Sequence, residues 1–190
     1  MFIQTEITPN PATLKFLPGR TVLGKGTMEF TSASTTARSP LAVKLFAVHG
    51  VAGVFYGSDF ITVTKEEGSD WQHLKPAILG VIMEHYMAGA PLLADGEGSS
   101  EANTDSDVEF FDEADAETVT LIKDLIETRV RPGVADDGGD ITFRGFRDGI
   151  VYVNMKGACS GCPSSTVTLR NGIQNLLKHF VPEVVEVRPV

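Results

Sequence analysis

Only two of the 190 residues are cysteine, and only one is tryptophan. Two thiols cannot build the many-bridged framework of a small secreted domain. No apolar run approaches the ~20 residues of a membrane-spanning helix; the longest clear one, Ala77 to Met83, is far shorter. The opening Met1-Phe2-Ile3-Gln4-Thr5-Glu6 has neither a basic stretch followed by an apolar core nor the Arg/Ser-rich character of a transit peptide. Positive charge is also scarce. Lys and Arg number 16 against 25 Asp and Glu, a net charge of −9, which argues against nucleic acid or an anionic membrane as partner. These absences lead to the expectation of a protein in a soluble, reducing compartment. That is the bacterial cytoplasm, or the mitochondrial matrix for a processed organelle form.

The acidity is uneven. Ten acids and no Lys or Arg fall between Asp95 and Glu117, while the rest of the chain is close to neutral. Residues 89–111 combine Gly, Ser, Asn and acids with few large apolar side chains, the composition of a mobile, self-repelling linker. Hydrophobic residues make up 42% of the chain, enough for real cores. The reading is therefore two small domains, 1–88 and 112–190, joined by an acidic linker.

In the first domain, Ile3 to Thr8 and Leu14 to Phe16 read as strands around a Pro9-Asn10-Pro11 turn, and Met28 to Phe30 adds a short strand. Ser39-Pro40 starts a helix through Val48 that Gly50 closes. Gly53 to Tyr56 and Phe60 to Thr64 flank Gly57-Ser58-Asp59, a hairpin pattern. Trp71, Leu74, Ile78, Val81, Ile82 and His85 recur at helical intervals, with Pro76 expected in a first turn or at a kink. His49, His73 and His85 have no ligand spacing and read as ordinary surface or packing residues, and Trp71 as a core anchor.

The second domain opens with an expected helix over 112–131, striped by Val119, Ile122, Leu125, Ile126 and Val130 and stopped by Pro132. Asp136-Asp137-Gly138-Gly139-Asp140 reads as a loop. Two strands follow, Ile141 to Phe146 and Ile150 to Met155, across an Arg147-Asp148-Gly149 turn. A helix from Pro163 to about Phe180 carries Leu169, Ile173, Leu176, Leu177 and Phe180, and Val184 to Val187 alternates as a last strand. The order αββαβ predicts an α+β domain with a three-stranded sheet and two helices.

Both cysteines lie in Gly157-Ala158-Cys159-Ser160-Gly161-Cys162-Pro163, between the second strand and the second helix. Such a loop aims two thiolates at one ion or cluster. A helix start just beyond them is expected to lower their pKa. A closed thiolate site for zinc or a [4Fe–4S] cluster takes four ligands. With two cysteines and no nearby His, a four-thiolate site needs two chains, each giving Cys159 and Cys162 across a two-fold axis. A site assembled by association suits a metal that is handed on. Gly157 and Gly161 allow close backbone approach, and Ser164 and Ser165 sit in the first turn of the helix, in cap positions. Two alternatives stay open: a thiol–disulfide oxidoreductase using the same pair, although a hairpin precedes the motif rather than a βαβ unit, and a zinc-bridged interaction module.

Met155-Lys156-Gly157-Ala158-Cys159-Ser160-Gly161-Cys162-Pro163-Ser164-Ser165 resembles the cluster loop of the NifU C-terminal domain. Arg131-Pro132 through Asp137-Gly138-Gly139-Asp140 resembles that domain's second signature. Thr8-Pro9-Asn10-Pro11-Ala12-Thr13-Leu14-Lys15-Phe16 and Gly50-Val51-Ala52-Gly53-Val54-Phe55-Tyr56-Gly57 are similar to the N-terminal domain of Nfu proteins. The resemblance implies a non-enzymatic scaffold or carrier with Cys159 and Cys162 as its ligands. It further implies one labile [4Fe–4S] cluster per homodimer, upstream cluster donors, and recipient iron–sulfur apo-proteins. The N-terminal domain resembles a recognition module, and the Asp-Gly-Gly-Asp stretch carries no role beyond a turn.

Overall fold

The computed structural model describes residues 1–94, 108–160 and 163–190, with the side chains of 163–165 excepted. The chain divides into two compact units, Met1–Asn103 and Thr104–Val190, each with its own core. It is an α+β protein, as its pattern predicts. Most of the expected acidic linker, 95–107, lies outside the described residues.

In the first unit, strands β1 (Gln4–Ile7), β2 (Thr13–Leu17), β3 (Met28–Phe30), β4 (Val51–Tyr56) and β5 (Ile61–Lys65) form one antiparallel sheet in the order β1-β2-β5-β4-β3. The period-2 alternation of β5 sends Ile61 and Val63 to the core, while Thr64 on the other face reaches Thr13 at 3.0 Å. Two helices supply the other half of that core. Helix α1 (Pro40–Phe46) starts where its sequence says: Pro40 needs no N–H there, and the Ser39 hydroxyl accepts the Ala42 N–H. Helix α2 (Trp71–Met87) is capped by Asp70, whose carboxylate accepts the Gln72 N–H. Leu41, Leu45, Ile78 and Ile82 are fully buried, each contributing about 2 kcal/mol relative to exposure.

Three details differ from expectation. Pro76 sits inside α2, beyond its first turn. Trp71 is only half-buried and ties the start of α2 to the Pro9–Pro11 turn through its indole N–H, 3.1 Å from the Pro11 carbonyl. The stretch after α2 is anchored rather than free up to residue 94. Ser39 donates to the Leu92 carbonyl at 2.7 Å, so the fully buried Tyr56 hydroxyl, 2.9 Å away, donates to Ser39; the Ala94 N–H donates to the Arg38 carbonyl.

In the second unit a short 3-10 turn, Glu113–Asp115, leads into helix α3 (Ala116–Leu125), a π-helical segment Ile126–Val130, and helix α4 (Arg131–Asp136). The helix does not stop at Pro132. A proline ring inside a regular α-helix would collide with the carbonyl four residues back. Here the preceding turn is widened, with the Arg131 N–H bonding to Ile126 five residues earlier, and the helix continues past the proline. The apolar stripe still reads correctly, for Val119, Ile122, Leu125, Ile126 and Val130 are all buried.

Strands β6 (Gly139–Arg147) and β7 (Ile150–Gly157) pair antiparallel, and β8 (Glu186–Pro189) adds to β7 in parallel. The tight turn between β6 and β7 places Asp148 and Gly149 at φ 52° and 77°. Helix α5 (Pro163–Phe180) returns between β7 and β8, with Ile173 and Leu177 buried. Phe180 is exposed, not part of the buried stripe, and lies beneath the Arg129 guanidinium at 5.3 Å. The far end of the expected linker is also anchored. Phe110 bonds to β6 on both sides, its N–H to Arg144 and its carbonyl from Phe146, with its ring where a side chain at Gly145 would stand.

His85 is a packing residue, but an unusual one. It is fully buried, and neither ring nitrogen has a hydrogen-bond partner among the described residues. Burial holds its pKa below 6.5, with the Lys44 ammonium adding to the effect. The folded chain therefore keeps it neutral, while the unfolded chain protonates it below about pH 6.5. The unfolded state binds the extra proton, so stability falls as the pH drops. Urea midpoints read from Trp71 fluorescence are expected to decline between about pH 7.5 and 5.5, with His85→Leu flattening that slope. Midpoints independent of pH in the parent chain would contradict this assignment.

Candidate functional site

The site lies where β7 ends. Its last residue, Gly157, has φ +69°, a left-handed turn that glycine adopts without strain. The chain then runs through Ala158, Cys159 and Ser160 in a tight turn. Both the N–H and the hydroxyl of Ser160 donate to the Gly157 carbonyl, at 3.1 and 2.8 Å. The Ala158 N–H donates to the Gly138 carbonyl at 3.2 Å, tying the loop to the α4–β6 turn. From the other side the Thr166 hydroxyl, in α5, donates to the Cys159 carbonyl at 3.2 Å. Strand, turn and helix thus all grip the residue that carries the thiol.

That thiol is not accessible, although a glycine-flanked loop between strand and helix ordinarily lies at the surface. Cys159 is 5% exposed and belongs to the core of the second unit. Nor is its pKa depressed. Burial pushes it up to about 12, and the carboxylates of Asp137 and Asp140 add to the rise. Removal from water and two like charges outweigh any pull from the helix end, an effect that fades within a turn. Gly161 and Cys162 lie outside the described residues, as do the side chains of Ser164 and Ser165. Among the described residues, nothing brings a second ligand to Cys159. Among the described residues, no group of three or more His, Cys, Asp or Glu side chains could hold a metal ion.

The Asp-Gly-Gly-Asp stretch, read from the sequence as a loop, is half turn (Asp137 and Gly138) and half the start of β6 (Gly139 and Asp140), and it serves this site. Gly139 pairs with Gly157 across the sheet. A Cβ at 139 would stand 2.6 Å from the Lys156 carbonyl and 2.8 Å from Cys159 Sγ, so only glycine fits. Gly138, at φ +83°, makes the turn. Asp140 is nearly buried, and its two carboxylate oxygens accept from Arg131 Nε and one terminal nitrogen, at 2.8 and 3.0 Å. The other terminal nitrogen of Arg131 reaches Glu127. This fork joins the π-helical segment, α4 and the first strand. Both partners are quoted in the sequence signature, but the nine-residue spacing of an Arg and an Asp signals no contact by itself.

Comparison with known proteins gives the class. Residues 3–89 match the family described as "Scaffold protein Nfu/NifU N terminal", and residues 122–188 match the "NifU-like domain". The chain carries both domains and belongs to the Nfu/NifU family. It is 51% identical over 191 residues to a Drosophila sechellia protein named "NFU1 iron-sulfur cluster scaffold homolog, mitochondrial", and 52% identical to the protein of that name from Drosophila ananassae. All of this chain is covered in both cases, but only 65% and 64% of those relatives, so it spans about two thirds of their length. Among solved structures, a NifU-like protein from Saccharomyces cerevisiae aligns at 26% identity with a TM-score of 0.41, over 50% of this chain and 86% of that one. Among the described residues, no helix is long and apolar enough to cross a membrane.

The Arg131–Asp140 pair yields a stability prediction. Arg131→Leu strips a nearly buried carboxylate of its main counter-charge. The expected cost is about 3 kcal/mol in urea unfolding, the low end for a broken buried pair because Arg131 is partly exposed. The double variant Arg131→Met/Asp140→Leu should recover much of that loss. A single-variant cost indistinguishable from zero would show that the fork carries no weight.

Proposed function

We propose that this chain is an iron–sulfur cluster scaffold and carrier that holds a [4Fe–4S] cluster between two protomers and passes it to recipient apo-proteins. One observation carries the reading: both cysteines of the chain sit in one short loop, and among the described residues nothing around Cys159 completes a ligand set. Two copies, each giving Cys159 and Cys162, supply the four thiolates that such a cluster takes. The resulting homodimer is held together through its cargo. The family match and the relatives named as cluster scaffolds support the same conclusion.

Transfer would proceed by ligand exchange, with the acceptor's thiolates replacing those of the carrier one by one. No substrate is turned over, so the protein is not an enzyme. The first unit, whose core is a cluster of buried apolar residues, would select donors and acceptors rather than bind metal. The relatives named as mitochondrial favour the mitochondrial matrix over the bacterial cytoplasm. A thiol–disulfide oxidoreductase is the weaker reading. A nucleophilic thiol needs a lowered pKa and exposure, and Cys159 has neither.

Reconstitution without oxygen, followed by iron and sulfide analysis and sizing, tests this function. Wild type is expected to turn brown, dimerise, and carry about four irons and four sulfides per dimer. Cys159→Ser and Cys162→Ser should each lose the cluster and remain monomeric. Stoichiometric zinc without iron, or a full cluster within a lone subunit, would overturn the proposal.

A further inference from the structure

We propose that Gly139 is a positioning residue for Cys159: the bare backbone at 139 leaves a recess in which the thiol is stored whenever no cargo is held. The recess has three walls. The backbone of β6 at Gly139 forms one, the Lys156 carbonyl on β7 the second, and the apolar core of the second unit the third. A Cβ at 139 would come within 2.8 Å of Sγ and 3.2 Å of the Cys159 nitrogen, so the recess exists only because position 139 has no side chain. Four hydrogen bonds seat the residue there: Ala158 to Gly138, two from Ser160 to Gly157, and Thr166 to the Cys159 carbonyl.

The stored position is incompatible with the shared one. A sulfur on a residue 5% exposed, facing its own core, cannot touch a group that belongs equally to a second molecule. To serve as a ligand, Cys159 must leave the recess. The left-handed turn at Gly157 is the place in the loop where glycine's wide range of φ lets the chain rotate without steric penalty. Storage keeps the cargo-free thiol away from oxidants and stray metal ions. It also sets a competing resting place for the sulfur, which lowers the affinity for cargo and favours its release.

The use to which the thiol is put rests on the carrier reading; the storage itself does not, and it can be measured on metal-free protein. In the 190-residue Cys162→Ser chain, Cys159 is the sole thiol. Its alkylation by iodoacetamide at about pH 8 is expected to be at least tenfold slower, roughly, in native buffer than in urea, because reaction waits for local opening. Adding Gly139→Ala fills the recess and should bring the folded-state rate close to the unfolded one. Gly133→Ala, where a new methyl meets open space, should leave it slow. Because Gly139→Ala also presses on the Lys156 carbonyl, thermal unfolding is recorded beside each rate. Thr166→Val gives a second route: it removes only the bond to the Cys159 carbonyl and should speed alkylation severalfold with little change in melting. A folded parent that alkylates at the urea rate overturns the proposal, as does a folded Gly139→Ala that stays as slow as its parent. A chain that fails to take up iron and sulfide leaves these rates untouched and counts against the carrier reading alone.

Discussion

The second unit depends on a shortage of room at one crossing of its backbone. Where β6 begins beside the end of β7, Gly139 faces Gly157 with the Cys159 sulfur and the Lys156 carbonyl closer than any side chain would permit. Dense packing is ordinary in protein interiors. Here it is concentrated on Cys159, the proposed ligand. Any atom added at the crossing must displace either a strand or the sulfur, and the sulfur is the softer of the two.

The electrostatics follow from the same crossing. A thiol ahead of a helix is commonly read as activated, because the free N–H groups of the first turn favour a thiolate. In this chain the thiol is drawn instead into the apolar core, with Asp137 and Asp140 nearby. Their negative charge cannot be moved far. Asp140 is half of the fork that secures Arg131, and through Arg131 the joint between the π-helical segment and α4. The groups that make Cys159 a poor nucleophile are therefore also among those that hold the unit's first helix to its sheet.

Much of this was legible in the residues. The stripe from Val119 to Val130, the alternation of β5, the Ser39-Pro40 start of α1 and the turn at Asp148-Gly149 are local patterns, and local patterns survive folding. What escaped was long-range or compensated. Pro132 reads as a stop because a proline in a regular helix is one, and nothing local announces a widened turn before it. Asp140 reads as a turn residue among glycines, since its partner lies nine positions away. Leu92 and Phe110 read as linker because their neighbours are polar, yet each docks on its own unit through contacts remote in sequence. The cysteine pair is plain in the sequence, but the concealment of Cys159 is not, because burial is a property of the assembled core.

The widened turn at Ile126–Val130 has a further consequence for how this helix can vary. A π-helical turn holds one residue more than an α-helical one, so all that follows is rotated by about 100° from where a regular helix would put it. Excising a single residue there would straighten the rod while swinging Val134 out of the apolar interior and Arg131 away from its carboxylate. A deletion that looks trivial on the surface would thus unpick the scaffold beneath the thiol, and the chain length of this segment is as tightly constrained as any side chain it carries.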